Sequence, residues 1–177
     1  AHTHNDILSF ELWVGGRPLF IDTGTYCYTS DIHERNRFRS TKMHNSLSIK
    51  NDDINILDPK KVFHLEQKTE VDILNWAVNN EEVCFLAEHD GFKHLGLGFK
   101  HLRELRYHFE NREWFLKDQV FTKDNDIHKI FLNFHSPSKA VINQVQNSFI
   151  IGDIEIKSLN SESIIIKDNK SFYSPSY

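Results

Sequence analysis

Apolar side chains recur at every second position in short runs along most of this chain. Phe10, Leu12 and Val14 alternate with Ser9, Glu11 and Trp13, and residues 17–21 return after Gly15-Gly16. Successive strand residues point to opposite faces, so this spacing selects β-structure buried on one face. A Gly-Gly pair between two such runs marks a tight hairpin turn. Similar runs occupy residues 47–49, 62–65, 71–78, 83–87, 103–109, 114–121, 130–134, 140–145, 149–156 and 164–166. Polar turn clusters separate several of them: Asn79-Asn80-Glu81, Glu110-Asn111-Arg112, residues 123–126 and Lys167-Asp168-Asn169. About a dozen short strands at this spacing predict an all-β fold, an antiparallel β-sandwich. A short helix or loop is expected only at residues 30–38. Trp76 and Trp114 are expected in the core, and the acidic turns at 51–53 and 123–126 in solvent.

Composition narrows the function classes. With 39% hydrophobic residues among 177, the chain can bury a sizeable core and is not a disordered tail. No apolar run approaches the roughly 20 residues that span a bilayer. Lys and Arg number 21 against 25 Asp and Glu, a net charge of −4, without the basic excess of a non-specific nucleic-acid binder. Two cysteines, Cys27 and Cys84, allow one bridge or two thiols and leave the redox compartment open. Neither a linker nor an internal repeat divides the chain, so residues 1–177 read as one domain. Histidines that belong to a site, at positions 2 and 4, stand beside the first residue. The expectation is therefore a fragment of a longer protein.

Chemistry concentrates in residues 1–50. On a strand, His2 and His4 would share a face and either line one cleft or hold one metal. Asp22 ends the returning limb of the Gly15-Gly16 hairpin, which is expected to bring it back beside the strand start. His44, just before the run at 47–49, offers another nitrogen. Two imidazoles, a carboxylate and an open position make an ordinary zinc ligand set. Turn capping by Asp22 and a surface place for His44 account for the same residues without a metal. Leu8 and Ser9 stand where a cupin-type motif carries a glutamate, which sets that family aside. Between Asp31 and His44 lie Arg35, Arg37, Arg39 and Lys42 against Asp31 and Glu34, a basic stretch in an acidic chain. Such a loop suits an anionic polymer, or its arginines pin the loop internally. Asn5 and Asp6 are expected to orient His4 or close a turn, and His101 and His135 to be satisfied core residues.

The series His2-x-His4-Asn5-Asp6-x-Leu8-Ser9-Phe10, Asp22-x-Gly24-Thr25-x-x-Tyr28 and Arg37-x-Arg39-Ser40-Thr41-x-x-His44-Asn45 resembles the heparinase II/III-like family of polysaccharide lyases. Glu88-His89-Asp90-Gly91-Phe92, His101-x-Arg103, Trp114-x-x-x-Asp118, Phe134-His135 and Tyr173-Ser174-Pro175-Ser176-Tyr177 follow in the family's order. The resemblance covers nearly the whole chain. It implies a C-terminal β-sandwich (super-sandwich) that packs in the intact protein against an N-terminal α/α toroid, with the site in the cleft between them. This chain resembles the β part alone.

The resemblance further implies cleavage of acidic, uronic-acid-containing polysaccharide by β-elimination. His2 matches the catalytic histidine, and a Tyr with an Asn or His would come from the toroid. His4, Asp22 and His44 match the ligands of a structural zinc found in several members. Arg35, Arg37 and Arg39 become candidate substrate-binding residues. A bacterial protein, periplasmic or secreted, is expected on the same ground, and the isolated fragment is expected to be inactive. The alternative is a non-catalytic carbohydrate-binding or assembly domain of a polysaccharide-handling system.

Overall fold

The computed structural model describes residues 3–50, 52–61, 63–124, 126–137, 142–145, 148–151 and 154–157. Among the described residues the fold is all-β and antiparallel, with eleven strands and one short α-helix. Strands β1 (Leu12–Val14) and β2 (Arg17–Phe20) form the expected hairpin, with Leu12 opposite Phe20. Gly15 and Gly16 turn it at φ +57° and +75°, where a Cβ would strain the backbone.

Helix α1 spans Ile32–Arg39, overlapping the expected segment 30–38 and running one residue past it. Asp31 caps it by accepting hydrogen bonds from the His33 and Glu34 backbone N–H groups. A 3-10 turn at Thr41–Met43 then leads through His44 into β3 (Leu47–Ile49). Strand β3 pairs with β8 (Ile130–Leu132), far along the chain.

Four long strands form one meander: β4 (Val71–Val78), β5 (Glu82–His89), β6 (Lys100–His108) and β7 (Glu113–Phe121). One face carries Glu82, Glu88, Lys100, Glu104 and Arg106, paired as ions in solvent. On the other face, His89, His101 and Arg103 are buried. Strands β9 (Ile142–Val145), β10 (Ser148–Ile151) and β11 (Ile154–Lys157) form a fourth antiparallel sheet. The run expected as one strand at 149–156 thus divides into two strands paired with each other. The run at 164–166 lies outside the described residues.

Two apolar clusters hold these parts. Leu47, Ile49, Ile54, Phe92 and Phe99 pack under the β3 region. Leu12, Leu19, Phe20 and Ile151 join the hairpin to the β9–β11 sheet, with the Phe20 and Phe134 rings 5.0 Å apart.

Three sequence expectations fail here. Trp76 and Trp114 are 67% and 49% exposed. They sit toward the strand ends away from His89, opposite Phe85 and Tyr107, on sheet that the described loops leave open. Residues 63–65 form a turn and coil rather than a strand, and the His64 carbonyl is claimed by Arg39. Asp53 is half-buried rather than a solvated turn, because its carboxylate accepts the Thr41 backbone N–H at 2.7 Å.

Candidate functional site

Backbone order around His4 comes from its neighbours. Asn5 is fully buried and reciprocally bonded to Asn55: its Nδ2 donates to the Asn55 carbonyl at 2.8 Å, and its Oδ1 accepts the Asn55 N–H at 2.9 Å. The Asn5 N–H donates to the Arg39 carbonyl, and Arg39 Nε donates back to the Thr3 carbonyl. Residues 3–5 are thereby strung across the C-terminal end of α1. Asn5 does orient His4, and its partner Asn55, fifty positions on, carries no sequence signal of that role.

Arg35 Nη1 lies 2.9 Å from His4 Nε2. A guanidinium only donates, so Nε2 accepts and the imidazole is neutral with its proton on Nδ1. Burial, helped by His44 and Arg35, pushes the His4 pKa down to about 4. The His4 and His44 rings lie 5.3 Å apart.

His44 is fully buried, and its Nδ1 meets Asp22 Oδ2 at 2.6 Å. Asp22 Oδ1 accepts the Gly24 N–H at 2.7 Å. Burial works to raise the Asp22 pKa, but its hydrogen bonds and the His44 charge outweigh it and hold the carboxyl below its usual range. Thr23 Oγ1 donates to the Met43 carbonyl, tying the Asp22 loop to the 3-10 turn. Asn45 completes the frame: its Nδ2 donates to the Phe10 and Ile21 carbonyls, and its Oδ1 accepts the His135 N–H.

The fold therefore gathers His4, Asp22 and His44, by a different route from the one the sequence suggested. The hairpin ladder ends at Leu12 and Phe20 and does not reach His4. Asp22 meets His44 instead, and His4 arrives through Asn5 and Arg39. His2 lies outside the described residues. Among the described residues, no three His, Cys, Asp or Glu side chains converge as a metal site would require. The three expected ligands form a row, linked side to side. His44 Nε2, however, is buried without a hydrogen-bond partner among the described residues.

The three arginines have different surroundings. Arg39 is fully buried and donates to the Thr3, Lys61 and His64 carbonyls and to Asn36 Oδ1. Its side chain is turned into the chain as a clamp, the internal reading of the basic loop. Arg37 forks onto Glu34 and remains partly exposed. Arg35 is buried with Nε and Nη2 unpartnered among the described residues, its guanidinium 5.6 Å from the Tyr28 ring centroid and 6.0 Å from that of Phe63. These two rings complete the surroundings of the site and were not singled out by sequence reasoning, although Tyr28 stands in the motif that begins at Asp22. Cys27 and Cys84 are both free thiols.

An all-β domain that concentrates two imidazoles, a carboxylate and an under-compensated guanidinium at the end of its one helix is built around a polar site. The chain belongs to the heparinase II/III-like family: the model for its C-terminal domain matches residues 1–172. It is similar to a heparin-sulfate lyase from Bacteroides stercoris, at 22% identity over 185 residues, covering 99% of this chain and 25% of the relative. The chain thus spans about a quarter of that relative's length. No solved structure matches. No described helix is long and apolar enough to cross a membrane.

Proposed function

We propose that this chain is the β-domain of a polysaccharide lyase that cleaves uronic-acid-containing polymers by β-elimination. One observation carries the reading. Of four buried side-chain N and O atoms without a partner among the described residues, three are Arg35 Nε, Arg35 Nη2 and His44 Nε2. Buried polar groups are ordinarily satisfied, and an unpaired buried cation is costly. Their concentration around His4 marks a place made for something that the described residues do not supply.

An acidic sugar and a metal ion answer those two needs. In β-elimination a base takes the C5 proton of the uronate. The C–H electron pair becomes the C4–C5 double bond as the C4–O bond breaks, and an acid protonates the departing oxygen. Charge accumulates on the uronate carboxylate, so the site must supply donors or positive charge there. Arg35 has unspent donors for that task, Arg37 adds a partly exposed cation shared with Glu34, and Arg39 fixes the loop that carries both. His2, two positions from His4, is the residue for proton exchange, since an imidazole titrates near neutral pH. The remaining acid–base groups, a Tyr and an Asn or His, belong to an α/α toroid elsewhere in the intact protein.

His4, Asp22 and His44 suit zinc by donor type, and His44 Nε2, buried without a partner among the described residues, offers its lone pair to a metal ion when its proton is on Nδ1. A bound zinc ion would cross-link the residues after β2 to the 3-10 turn and hold the neighbouring His2 in register. Periplasmic or secreted placement follows from a substrate of this class.

Two measurements test the reading. The product double bond is conjugated with the carboxylate and absorbs in the ultraviolet, so absorbance should grow when the intact protein meets a panel of uronic-acid polymers. Growth that persists in a His2→Ala variant removes His2 from its role. No growth on any polymer removes the lyase and favours a carbohydrate-binding or assembly module. For the metal, chelator-free protein should contain zinc by elemental analysis, and His44→Ala should lose it. Protein that lacks zinc and gains no thermal stability from added zinc has no such site.

A further inference from the structure

Several motif residues remain outside the site: His89, His101, Arg103 and Asp118. The sequence scatters them over three strands, and the fold makes them one buried chain of hydrogen bonds. The Gly91 backbone N–H donates to His89 Nδ1 at 3.0 Å. A backbone amide can only donate, so His89 Nδ1 accepts and the proton of the neutral ring sits on Nε2. That proton points at His101 Nδ1, 3.0 Å away. The His101 proton is then on Nε2 and goes to Asp118 Oδ1 at 2.6 Å. Asp118 also accepts Arg103 Nε at 2.7 Å and Arg103 Nη2 at 3.2 Å.

The chain does not end there. Arg103 Nη1 donates to two backbone carbonyls at once, Leu8 at 2.7 Å and Asn45 at 2.8 Å. Leu8 belongs to the segment that follows His4 and holds a left-handed φ of +55°, a conformation that a leucine keeps only under external constraint. Asn45 is the residue after His44, and its side chain grips the Ile21 carbonyl, next to Asp22. One guanidinium thus ties all three site segments to the interior of the four-stranded sheet. Arg103 has no exposed surface, and the Asp118 side chain has 5%.

We infer that Arg103 is a positioning residue: anchored by Asp118, it transmits the fixed geometry of β6 and β7 to the segments that carry His4, Asp22 and His44. The inference rests on the reading that those residues form the working site, but it concerns their alignment and not their chemistry. A lysine cannot replace the guanidinium. Its ammonium has three donors at one point and cannot fork onto Asp118 while bridging two carbonyls on the far side.

The experiment follows the ring nitrogens of selectively ¹⁵N-histidine-labelled intact protein, free of metal and substrate. The Nδ1 signal of His44, bonded to a carboxylate, is assigned by its loss in Asp22→Asn. Arg103→Lys and Asp118→Asn should each abolish or broaden that signal while circular dichroism shows the β-fold retained. Ile151→Val, in the separate apolar cluster with Leu12, Leu19 and Phe20, should lower the melting temperature and leave the signal in place. An unchanged His44 signal in both Arg103→Lys and Asp118→Asn overturns the inference. So does equal loss in Ile151→Val, which would make the effect one of general destabilisation. The readout needs no turnover and no zinc, so its failure leaves the lyase reading standing, and failure of the absorbance assay leaves this one standing.

Discussion

Asp22 Oδ2 and His44 Nδ1 lie 2.6 Å apart although 22 residues separate them in sequence. The imidazole is fully buried and the carboxylate side chain one-third exposed, so the pair spans the boundary between core and solvent. This bond fixes which His44 nitrogen faces inward and leaves Nε2 as the one without a partner.

Removing the carboxylate should therefore destabilise the domain. Asp22→Ala strands His44 Nδ1 beside an already unpartnered Nε2, a loss of about 1–3 kcal/mol for a buried group left unsatisfied. The Asp22 pKa is held below its ordinary value, so its contribution is present above pH 3.8 and is lost as pH falls through the lower folded value. Urea unfolding at pH 7 should show a lower midpoint with an unchanged slope for Asp22→Ala. An unchanged midpoint would mean that the pair contributes nothing.

Acid should weaken the fold well before the carboxylates titrate. Burial, reinforced by His101 and Arg103, pushes the His89 pKa from 6.5 to about 3, and burial also lowers His101 and His135. Between those limits the unfolded chain binds protons that the folded chain refuses. The His89 contribution is thus complete above pH 6.5 and declines toward pH 3 by about 1.4 kcal/mol per pH unit, and His101 and His135 act in the same direction. Urea midpoints should be lower at pH 5 than at pH 7.5, and His89→Gln should shallow that dependence. A flat profile over this range would refute it.

Arg39 should behave as a structural residue of the site loop. Arg39→Met keeps the aliphatic stem but strands the Thr3, Lys61 and His64 carbonyls, at a cost of about 2–4 kcal/mol. Added acidic oligosaccharide should not restore the lost stability. Restoration would show instead that Arg39 meets the ligand.

Gly91 tests the start of the buried chain. A Cβ there would lie 2.7 Å from Ile54 Cγ2 and 2.9 Å from His89 Nδ1. Gly91→Ala should cost about 1–3 kcal/mol through forced displacement of packed groups. Thermal unfolding reads it directly, and a melting temperature equal to the parent's would show that His89 moves aside freely.

Local pattern made the strands legible. The runs at 47–49 and 71–78 coincide with β3 and β4, and the Gly15-Gly16 turn stands where two left-handed residues are needed. The grouping of Asp22 with His44 was legible as well, but its route was not, because it depends on how the 3-10 turn packs beneath the residues after β2. Long-range polar pairing left no trace in the sequence. Nothing in Asn5 points to Asn55, and nothing in Arg39 says that its donors will be spent on backbone carbonyls. Trp76 and Trp114 fit an apolar face by period, but period alone does not reveal which half of that face the described loops cover.

The buried His89–His101–Asp118 chain also acts as a check on strand alignment. His89 stands directly opposite His101, and Arg103 opposite Asp118. A slip of one residue would turn a strand's apolar side chains to the wrong face, which the core forbids. A slip of two keeps every side chain on its face, and the alternating pattern offers little resistance to it. It would, however, set Ala87 or Val120 where a proton donor or acceptor is required, leaving buried polar groups stranded at about 1–3 kcal/mol each. The apolar alternation decides which way the sheet faces, and one line of protons across the end of β5, β6 and β7 decides how those strands are aligned.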